Sequence, residues 1–523
     1  MAAAGLMRSL RRRFLLASIV HAALAPGLAC AAATACALVG PGCGSSDSRT
    51  APAADAGRAR AVAPTPPAPP FAAEVRSLRL KRSISVRLEP SEDAQRIGTV
   101  AQDTRVGWTR VTTGPGCKQR WVEIDPHGWV CESYLEPSTQ APAGIELPRL
   151  PLAELVPGVY GKVHTEGATT WIENPALKAK PKPAAKKKAA AAVRGKATTK
   201  GNAPAVAPPS DQPDKRTANL SKLVKGTPLA TSAHVRRWEV VEIEGRTYWR
   251  IAPAERIYVL AKDVHLHTPS PYHGERLGDD APLGLPIAIA KQVAKTHAAA
   301  ADGAVVGKLA ARQVVAVREV ARDAAGAATG YRIGESEWVS ARDALLVEPA
   351  TPPPGLVAGE RWIDIDLDQQ VVVAYEGELA VYATLVSSGG KATPTETGIY
   401  RIWMKFAETD MNGLAAEGGG ETYEVSTVPW TQFFFKDLAL HTAYWHDRFG
   451  TSRSHGCVNL APSDARVLYF WTDPQVPPGW TMAAGSGEVP GSMVRVRSAA
   501  DPSPEPKGYA KDLADRRAAQ ARR

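Results

Sequence analysis

The chain has 523 residues, 22% of them charged, and a formal net charge of +10. That length exceeds what one hydrophobic core supports, so three or four domains joined by linkers are expected. Part of the positive excess lies in residues 178–200, which include Lys186-Lys187-Lys188, and part in the Arg-rich tail ending at Arg523. Such runs form solvated segments. No basic module interleaved with aromatic residues accompanies them, so no nucleic-acid partner is expected.

Near the N-terminus, Arg8, Arg11, Arg12 and Arg13 precede an apolar stretch from Phe14 to about residue 42. Polar Gly44-Ser45-Ser46-Asp47-Ser48 follows. This is the order of an export signal, expected over residues 1–43. Cys43 stands at the apolar-to-polar switch behind Gly42, as at a lipoprotein cleavage site, although Gly40 replaces the usual leucine. Cys30 and Cys36 are rival lipidation sites, and Arg11-Arg12-Arg13-Phe14-Leu15 weakly resembles a twin-arginine signal. An uncleaved membrane anchor is the competing reading; His21, Pro26 and Gly27 interrupt the stretch and weigh against it. The expected location is the cell envelope, in the periplasm and lipid-anchored to a membrane. Export also orders the six cysteines. Cys30 and Cys36 leave with the signal, Cys43 carries lipid, and Cys117 and Cys131 pair as a disulfide. Cys457 is left as an unpaired thiol.

Residues 44–76 are rich in Ala and Pro and form an extended linker. Three related segments follow, at 77–138, 150–268 and 280–349. Each closes on an aromatic-rich strand, a turn and a short Trp/Tyr-Val strand. The closing portions are Arg120-Trp121-Val122-Glu123-Ile124 with Gly128-Trp129-Val130, Tyr248-Trp249-Arg250-Ile251 with Ile257-Tyr258-Val259, and Gly330-Tyr331-Arg332-Ile333 with Glu337-Trp338-Val339. They resemble bacterial SH3-like domains, small β-barrels often attached to cell-wall enzymes. The second is interrupted by a Lys/Ala/Pro-rich disordered insert at about 176–216, and the third matches least well. Binding of wall peptide or glycan and service as a spacer are both open to such modules.

Thr351-Pro352-Pro353-Pro354-Gly355 marks the next boundary. The last domain, 357–497, is expected to be mostly β: 361–367 alternates and reads as a strand, and 371–375, 380–387 and 397–402 read as further strands. One helix is expected at 461–471, opened by Pro462-Ser463-Asp464. Residues 405–430, with Gly418-Gly419-Gly420, are expected to be a long loop serving as a lid. Residues 498–523 are expected to be a disordered tail. The fold class is mainly β.

The chemistry concentrates in Ser454-His455-Gly456-Cys457-Val458-Asn459, downstream of Leu440-His441-Thr442-Ala443-Tyr444-Trp445. A cysteine behind a glycine, with one neighbouring and one upstream histidine, is a candidate thiol nucleophile with its base. A zinc site from His441, His446, His455 and Cys457 is the chemical rival, but these spacings fit no standard zinc pattern, and no metal is expected.

Residues 360–489 resemble the L,D-transpeptidase catalytic domain of bacterial peptidoglycan metabolism. The resemblance is carried by the entry strand Trp362-Ile363-Asp364-Ile365-Asp366-Leu367, by Leu385-Val386-Ser387-Ser388-Gly389, and by Thr393-Pro394-Thr395-Glu396-Thr397-Gly398-Ile399-Tyr400. It ends on His441 and the Ser-His-Gly-Cys string. Glu396 stands where the family has proline, and Asn459 where it often has arginine. The resemblance implies a β-sandwich domain with Cys457 as nucleophile and His441 as general base. His455 would shape the pocket or steady the oxyanion, and Ser454 would orient a histidine. The N–H groups of Gly456 and Cys457 would form the oxyanion hole. Asn459, Tyr444 and Trp445 are expected to contact substrate. The substrate implied is a peptidoglycan stem tetrapeptide, cleaved through a thioester with loss of D-Ala. The acceptor is an amine of another stem, a lysine of a wall-anchored protein, or water. No cofactor is needed. The competing class is a wall-binding scaffold with an inactive last domain.

Overall fold

Short apolar alternations punctuated by turns make each of the three middle segments a set of eight strands. A computed structural model of the protein describes residues 69–173, 223–243, 245–252, 256–278, 281–300, 303–413 and 423–522. The export signal, Cys43, most of the linker, the 176–216 insert and Gly418-Gly419-Gly420 lie outside the described residues. In the first segment, Arg105–Val106, Ser77–Leu80 and Leu135–Ser138 form a three-stranded sheet. Arg96–Val100, Ile84–Arg87, Trp129–Cys131, Trp121–Ile124 and Trp108–Thr112 form a five-stranded one. Counted from the start of each segment, the orders are 4-1-8 and 3-2-7-6-5, and both recur in the second and third segments. The three are therefore one repeated module, the third included. Cys117 and Cys131 are joined by a disulfide with a Cα–Cα distance of 5.6 Å, beside buried Trp121 and Trp129.

The last domain has two sheets. One runs Leu379–Leu385, Val371–Glu376, Arg361–Asp366, Met493–Arg497 and Gly398–Arg401, with Glu275–Arg276 added at its edge. Arg361–Asp366 and Val371–Glu376 are buried almost throughout, as expected of strands covered on both faces. Trp362, Val371 and Val373 share a core with Ile287, Ile289 and Val347 of the third module. The other sheet runs Trp480–Ala484, Met404–Gly413 and Tyr423–Phe435, then Leu438–Thr442 and Val458–Leu460. The helix Pro462–Trp471 starts with proline at its first turn, where a missing N–H costs nothing. Its buried Asp464 accepts hydrogen bonds from Tyr382 Oη, Thr384 Oγ1 and the Gly274 N–H.

Two modules lengthen this second sheet. Arg96–Val100 of the first pairs antiparallel with Trp480–Ala484, with Gly98 opposite Ala483. His234–Arg237 of the second lies parallel to Tyr423–Phe435, with His234 opposite Val425.

Two expectations are corrected. The described part of 405–430 is strand rather than loop: Met404–Gly413 and Tyr423–Phe435 pair antiparallel over a long stretch. Polar residues hid its alternation, because one side of the hairpin is not buried. The tail 498–523 is not disordered as described: it carries the helix Tyr509–Ala521. Buried Ala510 and Leu513 pack it down, Lys507 pairs with Glu396 at 2.7 Å, and Tyr509 Oη donates to the Ser486 carbonyl at 2.6 Å. These few anchors are sparse in a polar sequence.

Candidate active site

Leu438–Thr442 and Val458–Leu460 run parallel, with His441 opposite Asn459. Residues two apart on a strand share a face, so Cys457, just before Val458, projects on the same side as Asn459 and His441. All three line a cleft of about 170 Å³, together with Ser454, His455 and Trp445.

His441 is buried, and its Nδ1 lies 3.0 Å from the Thr442 carbonyl. A carbonyl only accepts, so Nδ1 carries the proton and Nε2 is left as an acceptor. Burial pushes the His441 pKa down to about 4, against the opposing pull of that carbonyl. The imidazole is therefore neutral near pH 7. Cys457 is half-buried, and its thiol lies 3.5 Å from the Asp437 carbonyl. Burial pushes this thiol up to about 11, although the Ala439 N–H pulls the other way. Nucleophile and base thus rest as a neutral pair rather than as thiolate and imidazolium.

The loop carrying the cysteine is stitched down by the Ser388–Thr395 region. The N–H groups of Arg453 and Ser454 donate to the Ser388 carbonyl, and the Gly390 N–H donates to the Ser454 carbonyl. Thr395 Oγ1 donates to the Gly456 carbonyl at 2.6 Å while accepting from the Gly389 N–H at 2.8 Å. Gly456 has φ +121°, and a Cβ there would meet Leu438 Cδ2 at 2.9 Å, so glycine is required on both counts.

Several expected roles are relocated. Ser454 does not orient a histidine: its Oγ donates to the Cys457 carbonyl and accepts the Gly456 N–H at 3.1 Å, a local turn within the loop. That engages the Gly456 N–H expected in the oxyanion hole. Tyr444 does not face the cleft: it is fully buried, stacks on Tyr160 at 4.0 Å, and donates to the Ser426 carbonyl at 3.0 Å. A large aromatic next to an apolar sheet is drawn into the core. Trp445 is half-buried and lines the cleft, and His455 is exposed at its edge. Asn459 is buried with its Nδ2 3.1 Å from His446 Nε2. Burial and the nearby Arg453 push His446 down to about 4. Among the described residues no group of three or more His, Cys, Asp or Glu side chains is placed to hold a metal ion.

Residues 360–496 match the YkuD family, the L,D-transpeptidase catalytic domain. These residues form an L,D-transpeptidase catalytic domain. Similar solved structures include an Enterococcus faecium L,D-transpeptidase mutant at 24% identity, covering 26% of this chain and 50% of that one, with a TM-score of 0.21. L,D-transpeptidase 3 from Mycobacterium tuberculosis is 18% identical, covering 32% and 78%, with a TM-score of 0.22. An L,D-transpeptidase from Mycobacterium smegmatis is 18% identical, covering 43% and 100%, also with a TM-score of 0.22. The chain spans about half the length of the first of these. No curated protein sequence matches it.

Within the transpeptidase domain, Met411 and Val425 of the long hairpin and Arg453 of the cysteine loop complete most of the cleft wall. One further lining residue, His234, comes from outside the domain, on the second module. None of these four lies within the recognised catalytic strings. Arg453 sits one residue before the recognised string and was within reach. His234 has no local signal at all.

Proposed function

We propose that the protein is an exported L,D-transpeptidase acting on peptidoglycan stem tetrapeptides. The observation that carries this reading is that the Cys457 thiol shares one cleft with a His441 whose Nδ1 is held by the Thr442 carbonyl and whose Nε2 is left as the acceptor. Cys457 Sγ attacks the carbonyl on the L-centre of the third-position diamino acid, and its proton passes to His441 Nε2. The Cys457 N–H stabilises the oxyanion. The tetrahedral intermediate collapses, the C–N bond breaks, and the departing D-Ala amine takes the proton from His441. A thioester remains. An acceptor amine attacks it, gives its proton to His441, and the thiolate leaves and is reprotonated.

The cleft is smaller than the ~300–1,000 Å³ of usual ligand pockets, which suits the reacting end of a peptide rather than a whole substrate. The acceptor is an amine of a second stem, which makes a 3–3 cross-link, or a lysine of a wall-anchored protein. With water the same site would be a carboxypeptidase. Anchoring through Cys43, and wall binding by the SH3-like modules, belong to the same proposal. Among the described residues no helix is long and apolar enough to cross a membrane.

The test is incubation of the full chain with a disaccharide tetrapeptide, followed by mass spectrometry beside Cys457→Ala. D-Ala loss with a thioester-sized mass increment and a cross-linked dimer is expected, and all of it vanishes in the variant. Folded protein with a titratable thiol and no D-Ala release would favour the scaffold reading.

A further inference from the structure

One wall of the cleft is not made by the transpeptidase domain. His234 opens the strand His234–Arg237, and its register partner Val425 also lines the cleft. The His234 ring lies 5.5 Å from Trp445, which is 5.9 Å from the His441 ring. Behind it His267 stacks at 4.9 Å and 9°, with His234 Nδ1 2.8 Å from His267 Nε2.

The docking that brings this pair in is firm. Tyr160 stacks on Tyr444, and Val156 and Tyr160 share a core with Met411, Val425 and Ala439. Buried Arg236 pairs with Glu408 of the hairpin and donates to the Pro157 carbonyl. Burial, His267 and Lys162 push His234 down to about 3, and burial and Lys162 push His267 down to about 4. Both rings are therefore neutral near pH 7. A bond between two neutral imidazoles uses one donor and one acceptor. His234 Nδ1 is spent on it, and Nε2 is the polar atom the ring can present to the cleft. Its neighbours there, Met411, Val425 and Trp445, are largely apolar. For packing alone an apolar pair would serve without the desolvation cost of two imidazoles.

We propose that His234 contacts substrate: its Nε2 hydrogen-bonds an amide group of the peptide lying over Cys457, and the second module thereby helps select which peptides acylate the enzyme. His267 is a positioning residue that fixes the ring. The assignment rests on the transpeptidase reading.

The test uses the full chain with the disaccharide tetrapeptide as donor. Three quantities are read: kcat and KM for D-Ala release, and the rate at which iodoacetamide alkylates Cys457. His234→Ala is expected to raise KM about tenfold, the size of one lost hydrogen bond with its partner left unpaired. Its kcat and alkylation rate stay within about twofold, because the chemistry does not pass through His234. His234→Gln, whose amide reaches to a similar depth, recovers most of the loss. His267→Ala raises KM by a smaller factor. An active wild type with unchanged KM in His234→Ala overturns the assignment and leaves the transpeptidase reading standing. So does a change in alkylation rate that matches the change in KM, since that marks a distorted cysteine loop. A wild type that alkylates normally yet releases no D-Ala overturns the transpeptidase reading itself, and this assignment with it.

Discussion

The first and second modules have the same strand order and both extend the same catalytic sheet, yet among the described residues only the second reaches the cleft. The first joins at Trp480–Ala484, by a run of register pairs and by Gln95 and Ala101 bonding to Gly485 and Gly479. Those partners lie on the far side of the hairpin from His441. The second joins at a single register position, but on the strand that also carries Leu438–Thr442 along its later half. Backbone pairing and functional reach are thus separate properties: the module with more register pairs is the one further from the chemistry.

The largest effect that would break this comparison is at Gly98. A Cβ there would lie 1.8 Å from Trp480 Cζ3, and Trp480 is buried. Gly98→Ala is expected to cost about 3 kcal/mol of stability through overpacking, seen as a lower Tm, while the folded enzyme keeps the wild-type KM. A raised KM would show that the first module also shapes the site.

Arg236→Ala comes next. It removes the partner of Glu408, whose carboxyl burial already pushes upward. A loss of about 2 kcal/mol is expected, reduced from the fully buried case because Glu408 retains some exposure. Here KM should rise together with the fall in Tm, since the wall bearing His234 loosens. Stability lost with KM unchanged would detach the second module from function.

The smallest effect is on acid stability. His234 and His267 fold with pKa values of about 3 and 4, and His441 and His446 with about 4. An unfolded histidine titrates near 6.5. Between those values the unfolded chain binds more protons, so stability is present above about pH 6.5 and falls as pH drops toward 4. Asp464, raised to about 6 by burial, opposes this over part of the window, because there it is the folded state that holds the extra proton. His267→Gln should flatten the decline by about 1 kcal/mol between pH 6.5 and 4.5, allowing for partial exposure. Thermal melts across that range decide it. An equally steep decline in the variant would place the acid sensitivity away from His267.

Much of this molecule is written locally. Alternation in Arg361–Asp366 and the apolar run of Val371–Glu376 announce strands because their neighbours in sequence are also their neighbours in the sheet. The cysteine loop is legible because Gly456, Thr395 and Ser454 each answer a short-range backbone demand. Tyr444 misleads because a string of residues beside a catalytic histidine does not say which faces the core. The hairpin is hard to read because residues such as Lys405, Thr409 and Asp410 break its apolar alternation. The contribution of His234 depends on one long-range register position, and no periodicity within either segment specifies it.

The hairpin strand Tyr423–Phe435 gives one edge to two owners, the second module at Val425 and the His441 strand further along. A transpeptidase domain cut out on its own would leave that stretch, and Trp480–Ala484 opposite, as bare strand edges with Met411 and Val425 newly wetted. Open edges of this kind pair with whatever strand they meet, including another copy of themselves. In this chain the modules act as built-in edge guards, and an excised catalytic fragment should be sticky before it is inactive.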